Sequence, residues 1–579
     1  WMDVVHYADS HGYEWDVPAK HAWRYRDYLV RAFNADVPFD RLILEHLAGD
    51  LISPRIDPGT GANEALIGTM GLRMGERWHG DNAAAEATSA QNLGDTVDTA
   101  TKAFLATTVG CARCHDHKLD AISQADYYAF YGTLMSSRWG VRSIDTADPN
   151  VGVIEELQRT KRLIRERLAS HWQTSHPRLL ERLLAAAAAA AATPAPAAES
   201  AFPESLAAAL TWPADRLCPP NTFTAERKRR VAANAATLTL LADFTAADTP
   251  TNGWQWEGFG MQHGLVADGE PVIADEGDAA LLHLLPAGRW SHVYSPRLGG
   301  AIRSPELFHD PPLTFSVGYG GGRKASHTLI VDRAVHSERV AYAEQSPGSW
   351  LSFTAGSFKR LAGSDDTATR RVYLELATKA YDNYFPPRTN YPGFKVADEH
   401  DPRSWFGVTR VYAHPAGTRP VDELGRLVGM LDRPLAGDSI ATRVADRILS
   451  AIDRWAEQRC DGDDVAVINE ALAAGWLDNS TETDPEVARL VAQYRDVERR
   501  LQPDQTIGGL DDWREAADAA VAVRGEPGHA GAVVPRGTIR FLEDLATRPD
   551  TRGSGRLEVA RSLAHVRNPL TARVFVNRV

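Results

Sequence analysis

The chain has 579 residues, 44% of them apolar, enough for about three to five domains that each build a packed core. Its 63 basic and 76 acidic side chains give a formal net charge of −13, which argues against nonspecific nucleic-acid binding because that needs clustered positive charge. Four cysteines in this length exclude a disulfide scaffold.

The pattern predicts a multidomain α+β chain with a helical unit at 1–145, a helical hairpin linker at 146–238, a β-sandwich at 239–416 and a second helical unit at 417–579. In the first unit, Trp23 to Phe33 places apolar and aromatic residues at helical spacing. Pro38 to Asp50 predicts a second helix with Gly49 as its stop signal, and Asp95 to Thr107 a third. Ser123, with Asp126 three residues on, predicts a capping box at the head of a fourth.

The third helix runs into Val109-Gly110-Cys111-Ala112-Arg113-Cys114-His115-Asp116-His117-Lys118. Cys-x-x-Cys-His is the attachment signature of c-type haem. Two thiols near one helical turn apart can each add to a vinyl group of one porphyrin, and the adjacent histidine then faces the iron. On that reading Cys111 and Cys114 are thioether anchors and His115 is the proximal ligand of haem c. Two other readings stay open. The pair can be half of a zinc site with His115 or His117, although no second Cys-x-x-Cys exists here. It can also be a redox disulfide, although no βαβ pattern surrounds it. Cys218 and Cys460 are isolated and read as buried thiols.

Residues 150 to about 238 change character. A charged amphipathic segment from Val153 to Leu168 is followed by an alanine run, Ala185 to Ala192, and then Thr193-Pro194-Ala195-Pro196. Alanine is the best helix former and the Pro-Ala stretch reads as a loop, so a surface hairpin joining two domains is expected. From about Leu240 to Ala416 short alternating runs dominate, among them Leu313 to Tyr319, Thr328 to Asp332 and Arg371 to Leu376. Trp254, Trp256, Trp290, Trp350 and Trp405 fall inside this region. They serve as core packing or, where exposed, as platforms for sugar rings. Gly320-Gly321-Gly322 is not a phosphate loop, because no Gly-Lys-Ser/Thr follows. Helical spacing returns at Arg443 to Glu457, Asp464 to Ala474 and Asp484 to Leu501, and again from residue 555 to 565. The stretch Leu501 to Val534 is punctuated by Gly and Pro.

Several of these motifs together resemble a family. Tyr7-Ala8-Asp9-Ser10-His11-Gly12-Tyr13, Trp23-Arg24-Tyr25-Arg26-Asp27-Tyr28, Phe39-Asp40-Arg41, Leu47-Ala48-Gly49-Asp50, the cysteine motif and Asp126-Tyr127-Tyr128 are similar to the planctomycete cytochrome-associated domain of unknown function. The last stretch, with Asn568-Pro569-Leu570-Thr571-Ala572-Arg573-Val574-Phe575-Val576-Asn577-Arg578-Val579, resembles the start of that family's C-terminal partner domain. The resemblance implies a cytochrome c domain upstream and a concanavalin-like or jelly-roll lectin insert, hence a glycan or polysaccharide as partner. Neither a signal peptide nor a membrane span is visible. The chain opens at Trp1, in what reads as a helix, and stops in an apolar run, so both ends read as cuts. Haem attachment of this type takes place outside the cytoplasm, so the haem reading implies periplasm or cell surface and a redox partner such as a cytochrome.

A haem iron needs a sixth position. Met70, Met74 and His79 are the upstream candidates, each also readable as a core or surface residue. Asp9, His11, Asp116 and His117 form a second polar set. Such groups do acid–base work on a sugar hydroxyl, hold a metal, or order the surroundings of the haem. Arg24, Arg26, Arg31 and Arg41 suit haem propionates or ordinary ion pairs. The expectation is an exported c-type haem protein that transfers electrons in carbohydrate oxidation. The alternatives are a polysaccharide-binding surface protein with the haem as relay only, and a zinc-dependent hydrolase.

Overall fold

The fold comes from a computed structural model. It describes residues 1–12, 16–78, 84–192, 202–212, 221–246, 251, 253–309, 313–331, 340–342, 344–354, 370–387, 394–432, 439–512, 516–545 and 553–578.

The N-terminal part contains α1 (Ala22–Asn34), α2 (Phe39–Ala48), α3 (Glu64–Gly68), α4 (Ala85–Leu105) and α5 (Gln124–Met135), and leaves through β1 (Ser137–Ser143). Tyr25, Tyr28, Leu29 and Ala32 recur at helical spacing along α1 and are buried. α2 stops at Gly49, where the glycine answers a close approach: a Cβ there would fall 1.8 Å from the Ala65 carbonyl oxygen. α4 begins at Ala85, well before the predicted start at Asp95. α5 opens with the predicted capping box. Asp126 N–H donates to Ser123 Oγ at 3.2 Å, and Ser123 N–H donates to Asp126 Oδ2 at 2.7 Å. The opening residues 2–6 form turns, not a helix. Trp1 wedges between Phe39, His46 and Phe104, and its indole N–H donates to Tyr25 Oη at 2.9 Å.

α6 (Val151–Thr174), α7 (His176–Ala192), α8 (Leu206–Leu210) and α9 (Thr222–Thr237) follow. The strands of the middle region are β2 (Thr239–Asp243), β3 (Gln255–Glu257), β4 (Glu270–Ile273), β5 (Leu281–Leu285), β6 (Arg289–Trp290), β7 (Ala301–Arg303), β8 (Leu307–His309), β9 (Leu313–Gly322), β10 (Ser326–Val331), β11 (Val340–Tyr342), β12 (Gln345–Thr354) and β13 (Arg370–Ala377). The short α10 (Val396–His400) precedes β14 (Trp405–Pro415). Among the described residues one sheet runs β11-β10-β13-β7-β3 and the other β12-β9-β14-β2. Val317 and Tyr319 from β9 and Phe406, Val408 and Val411 from β14 meet Ile302, Leu374 and Leu376 of the other sheet, so the two sheets form a sandwich. A bulge between Val408 and Val411 resets the alternation along β14.

The last part holds α11 (Ile440–Ala456), α12 (Gly462–Ala473), α13 (Pro485–Glu498), β15 (Thr506–Asp512), β16 (Ala519–Ala522), β17 (Ala530–Val534), α14 (Arg556–Ala564) and α15 (Pro569–Arg578). Helices and strands in separate packed units make the chain a multidomain α+β protein.

Two features depart from the sequence reading. First, α6 and α7 are not a surface hairpin. Leu157, Ile164, Leu168, Trp172, Leu179 and Leu183 are buried in one core with α11, α12 and α13, where Trp172 stacks on Trp455 at 5.3 Å. Their charged residues hid an apolar stripe with partners nearly 300 residues away. Second, the C-terminal part is not all helical. β15 pairs antiparallel with β1, from Ser137↔Asp512 to Ser143↔Thr506, and β16 with β17. Leu510, Ala519, Ile539, Val559 and Leu563 then complete the core around α4 and α5. No helix among the described residues is long and apolar enough to cross a membrane.

Candidate functional site

The cysteine motif forms a single 3-10 turn, Val109–Arg113, held from beneath. Val109 and Ala112 are buried against α4 and α5, so the side chains between and after them face solvent. Cys111 and Cys114 are free, exposed thiols, and His115 is exposed. The next residues brace the turn. Asp116 Oδ1 accepts the N–H of Gln124 at 2.8 Å, at the head of α5. His117 Nδ1 accepts the N–H of Asp120 at 2.8 Å and that of Leu119 at 3.2 Å. That leaves His117 Nε2 as the donor to Thr108 Oγ1, at 3.1 Å. His115 Nδ1 lies 2.7 Å from the Asp116 carbonyl oxygen. A carbonyl only accepts, so Nδ1 carries the proton and Nε2 presents its lone pair outward.

A cleft of about 450 Å³ opens beside this turn. Arg113, Tyr127, Tyr128, Tyr131 and Met135 line one wall, and residues from β16 to β17 the other. At the rim lies Gly525, with φ +76°, where a Cβ would fall 2.4 Å from Cys114 Sγ. The Tyr128 hydroxyl donates to the Arg113 carbonyl at 3.2 Å and ties the turn to the cleft floor. The volume is within the range of small-molecule and cofactor sites, roughly 300–1,000 Å³. Of the motif, Arg113 lines this cleft, while Cys111, Cys114 and His115 stand exposed beside it.

The other predicted residues are dispersed. Met70 and Met74 lie in a separate core with Tyr25, Tyr28 and Ile67, away from the turn. His79 lies outside the described residues. Met135 is the methionine that reaches the cleft, and its position in the otherwise apolar α5 gave no signal in the sequence. Asp9 accepts the Tyr7 hydroxyl at 3.0 Å, whereas His11 is buried with Nδ1 3.3 Å from the Gly75 carbonyl oxygen. Asp116 and His117 are absorbed in bracing the turn. Among the described residues no three His, Cys, Asp or Glu side chains converge into a metal-holding group, so a zinc reading has no tetrahedral donor set here. Arg26, Arg31 and Arg41 pair with Asp27, Glu64 and Glu45, and Arg24 donates to Gln505 Oε1 at 3.0 Å. Cys460 is half-buried and donates to the Asp268 carbonyl at 3.2 Å, and burial pushes its thiol up to about 12. Cys218 lies outside the described residues.

In the sandwich, Trp254, Trp290 and Trp405 are buried. Trp256 is 38% and Trp350 37% exposed, which separates them from the core tryptophans. Arg289 covers Trp256, its guanidinium 3.8 Å from the ring centroid. Trp350 projects from β12 beside Tyr412 of β14, with ring centroids 5.6 Å apart. It lies over Gly318, which has no side chain to cover it.

Residues 1–138 match the family model PSCyt2, described as a protein of unknown function (DUF1549), a planctomycete cytochrome-associated domain. The match ends just past α5 and so contains the whole cysteine turn. No curated protein and no solved structure matches the chain.

Proposed function

We propose, starting from the match of residues 1–138 to a cytochrome-associated domain, that the chain carries a c-type haem on the Cys111–His115 turn and relays electrons, while its sandwich holds a carbohydrate. One observation carries this reading. Two exposed free thiols precede an imidazole whose Nδ1–H is committed to the Asp116 carbonyl. Cys111 and Cys114 would each add across a vinyl double bond. Sulfur bonds to one carbon and the thiol proton passes to its neighbour, so no electrons are gained or lost. His115 would bind through Nε2, and the hydrogen bond at Nδ1 fixes its tautomer and the plane of its ring. A haem held there supplies a one-electron couple. Tyr127, Tyr128, Tyr131 and Met135 would exclude water from the buried edge of the cleft.

Asp9, His11, Asp116 and His117 do not gather around one point, which favours a relay over acid–base catalysis on a sugar at the turn. Trp350 supports carbohydrate binding, because its exposed ring, flanked by the half-buried Tyr412, offers an apolar face to a pyranose ring. Attachment of this type places the protein in the periplasm or at the cell surface, with a redox protein such as a cytochrome as partner.

The test is expression in a host with c-type maturation machinery, followed by acid–acetone extraction and a pyridine haemochrome spectrum. Retained haem with a two-thioether spectrum, lost in C111S/C114S, is the expected result. A chain that emerges without covalent haem, while a control cytochrome matures in the same cells, overturns the proposal.

A further inference from the structure

Behind the cleft lies a smaller cavity of about 60 Å³ between the N-terminal helices and the sandwich, sharing Ser89 and Met135 with it. Its wall is unusually cationic. Arg138 donates to Asp511 Oδ2 at 2.6 Å, and from there an ion-pair layer runs through Arg142, Glu257, Arg303 and Glu375. Three arginines and three carboxylates balance in that layer. Lys20 and Asp382, close by, offset each other. Arg73 and Arg77 fall outside both sets. Arg77 is buried and spends its donors on neutral oxygens, the carbonyls of Leu72, Arg73 and Asn92 and the hydroxyl of Thr96. Arg73 donates through Nη1 to Asn383 Oδ1 at 2.6 Å, and its other N–H groups have no protein acceptor among the described residues. Neither arginine forms an ion pair among the described residues, and Asp95 and Glu375 act on them only at long range. Gly508 makes room for this, since a Cβ there would fall 2.5 Å from Arg73 Nη1.

Burial, with Arg73 beside it, holds Arg77 down at about 10. A half-buried cation with spare donors beside a fully buried one, facing a space the size of one small group, calls for a counter-charge from outside the chain. We propose that this cavity binds a single oxyanion group, a carboxylate, sulfate or phosphate, with Arg73 as the donor fork and Arg77 and Trp139 behind it. The ring of Trp139 lies against both guanidinium groups, at 6.0 and 5.5 Å, and holds them side by side. Asn383 and the tyrosines Tyr373 and Tyr384 supply polar neighbours on the sandwich side. The site does not depend on haem, and an acidic group of a ligand lying in the larger cleft is within its reach through the wall they share.

The test is isothermal titration and thermal unfolding of the haem-free full chain in low-salt buffer, with inorganic sulfate, inorganic phosphate and acetate as separate probes. Saturable binding of at least one probe is expected, with at least tenfold weaker affinity in Arg73→Gln and in Arg77→Gln. Arg26→Gln, which removes an exposed arginine, is expected to bind as the parent does. A response to acetate alone assigns a carboxylate, and a response to sulfate or phosphate alone assigns a tetrahedral ester. Without anion, Arg73→Gln is expected to melt no lower than the parent, because it removes an uncompensated charge. Should both arginine variants misfold, a selenate-soaked crystal of the parent decides, with an anomalous peak expected between Arg73 and Tyr384. No saturable heat from any probe, or a melting shift shared by parent and variants and linear in salt, overturns the proposal.

Discussion

Two regions of the N-terminal part are built from the same kinds of residue and end in opposite states. At Glu45 and His46 the side-chain polar atoms are consumed. Its carboxylate, wholly buried, accepts the Tyr28 hydroxyl at 2.9 Å, Arg55 Nε at 2.8 Å and Arg41 Nε at 3.0 Å. Next to it, His46 donates through Nδ1 to the Leu42 carbonyl at 2.7 Å and accepts the Tyr25 hydroxyl at 2.8 Å, and burial holds it down at about 4. Around Cys114, by contrast, the brace residues are consumed while both thiols and His115 Nε2 are left over. A buried polar group must be satisfied or it costs stability, so its hydrogen bonds are its purpose. A polar group held rigidly in the open has no such debt, and its purpose lies in what it meets.

The largest effect is expected where consumption is complete. Glu45→Ala leaves the buried Tyr28 hydroxyl without its acceptor and takes the carboxylate from the partly exposed Arg41 and Arg55, a loss of about 3 kcal/mol by denaturant unfolding. The acid dependence carries a definite sign. Its arginine and tyrosine partners overcome the desolvation and hold the folded-state Glu45 below its ordinary value. Its contribution is therefore complete above the unfolded carboxylate value, about 4.3, and fades as pH falls through the folded one. The gap between parent and Glu45→Gln is expected to narrow steadily below that point. A gap independent of pH would break the contrast, since Glu45 would then act through packing alone.

The sequence made these two regions legible to different degrees. Helices α1, α2 and α11 to α13 were readable because each carries its own apolar period, and the head of α5 because the partners of its capping box at Ser123 are three residues apart. The Cys-x-x-Cys-His spacing was visible for the same reason: it is local. What closes the cleft was not. Gly525 and β16 arrive from some 400 residues downstream, brought back by the β1–β15 pairing, and no local period encodes which strand a strand will find. Met70 and Met74 drew attention by residue type, but type alone does not say which core a methionine fills. Arg73 and Arg77 were invisible as a pair, because what distinguishes them is a lack of carboxylates that only the fold defines.

A carboxylate buried with incomplete partners sharpens the comparison by reversing its sign. Asp504 Oδ1 accepts the Phe259 N–H at 2.8 Å and the Tyr381 hydroxyl at 3.0 Å, while its buried Oδ2 has no partner. Desolvation pushes it up to about 7. The folded chain then keeps a proton that the unfolded chain releases, so stability falls as pH rises from about 4 to about 7. Asp504→Asn is expected to match the parent near pH 3, below the unfolded carboxylate value, and to exceed it at pH 8 by about 1–3 kcal/mol. A variant less stable than the parent at pH 8 would mean that an ionised carboxylate is satisfied there.

At the exposed turn, the one tight contact is the next to test. Gly525→Ala puts a Cβ against Cys114 Sγ and forces an alanine into positive φ, at a cost of about 1–2 kcal/mol. Cys114 is expected to lose its place at the cleft rim while Cys111 keeps its own. Matured protein should then carry haem with a single thioether, which a pyridine haemochrome spectrum separates from the doubly attached form.

The smallest effect on stability falls on the motif itself. Cys111→Ser and Cys114→Ser are expected to shift unfolding by no more than about 0.5 kcal/mol, because both thiols are exposed and neither is packed into the core. Chemistry should separate them from Cys460 far more sharply than stability does. Cys460 is half-buried with its thiol pushed up to about 12, so at neutral pH it offers almost no thiolate. Brief iodoacetamide treatment of the folded, haem-free chain, read by peptide mass spectrometry, should modify Cys111 and Cys114 and spare Cys460. Protection of the two motif thiols without haem would mean that the turn is covered in solution, and the distinction drawn between consumed and presented side chains would fail at its central pair.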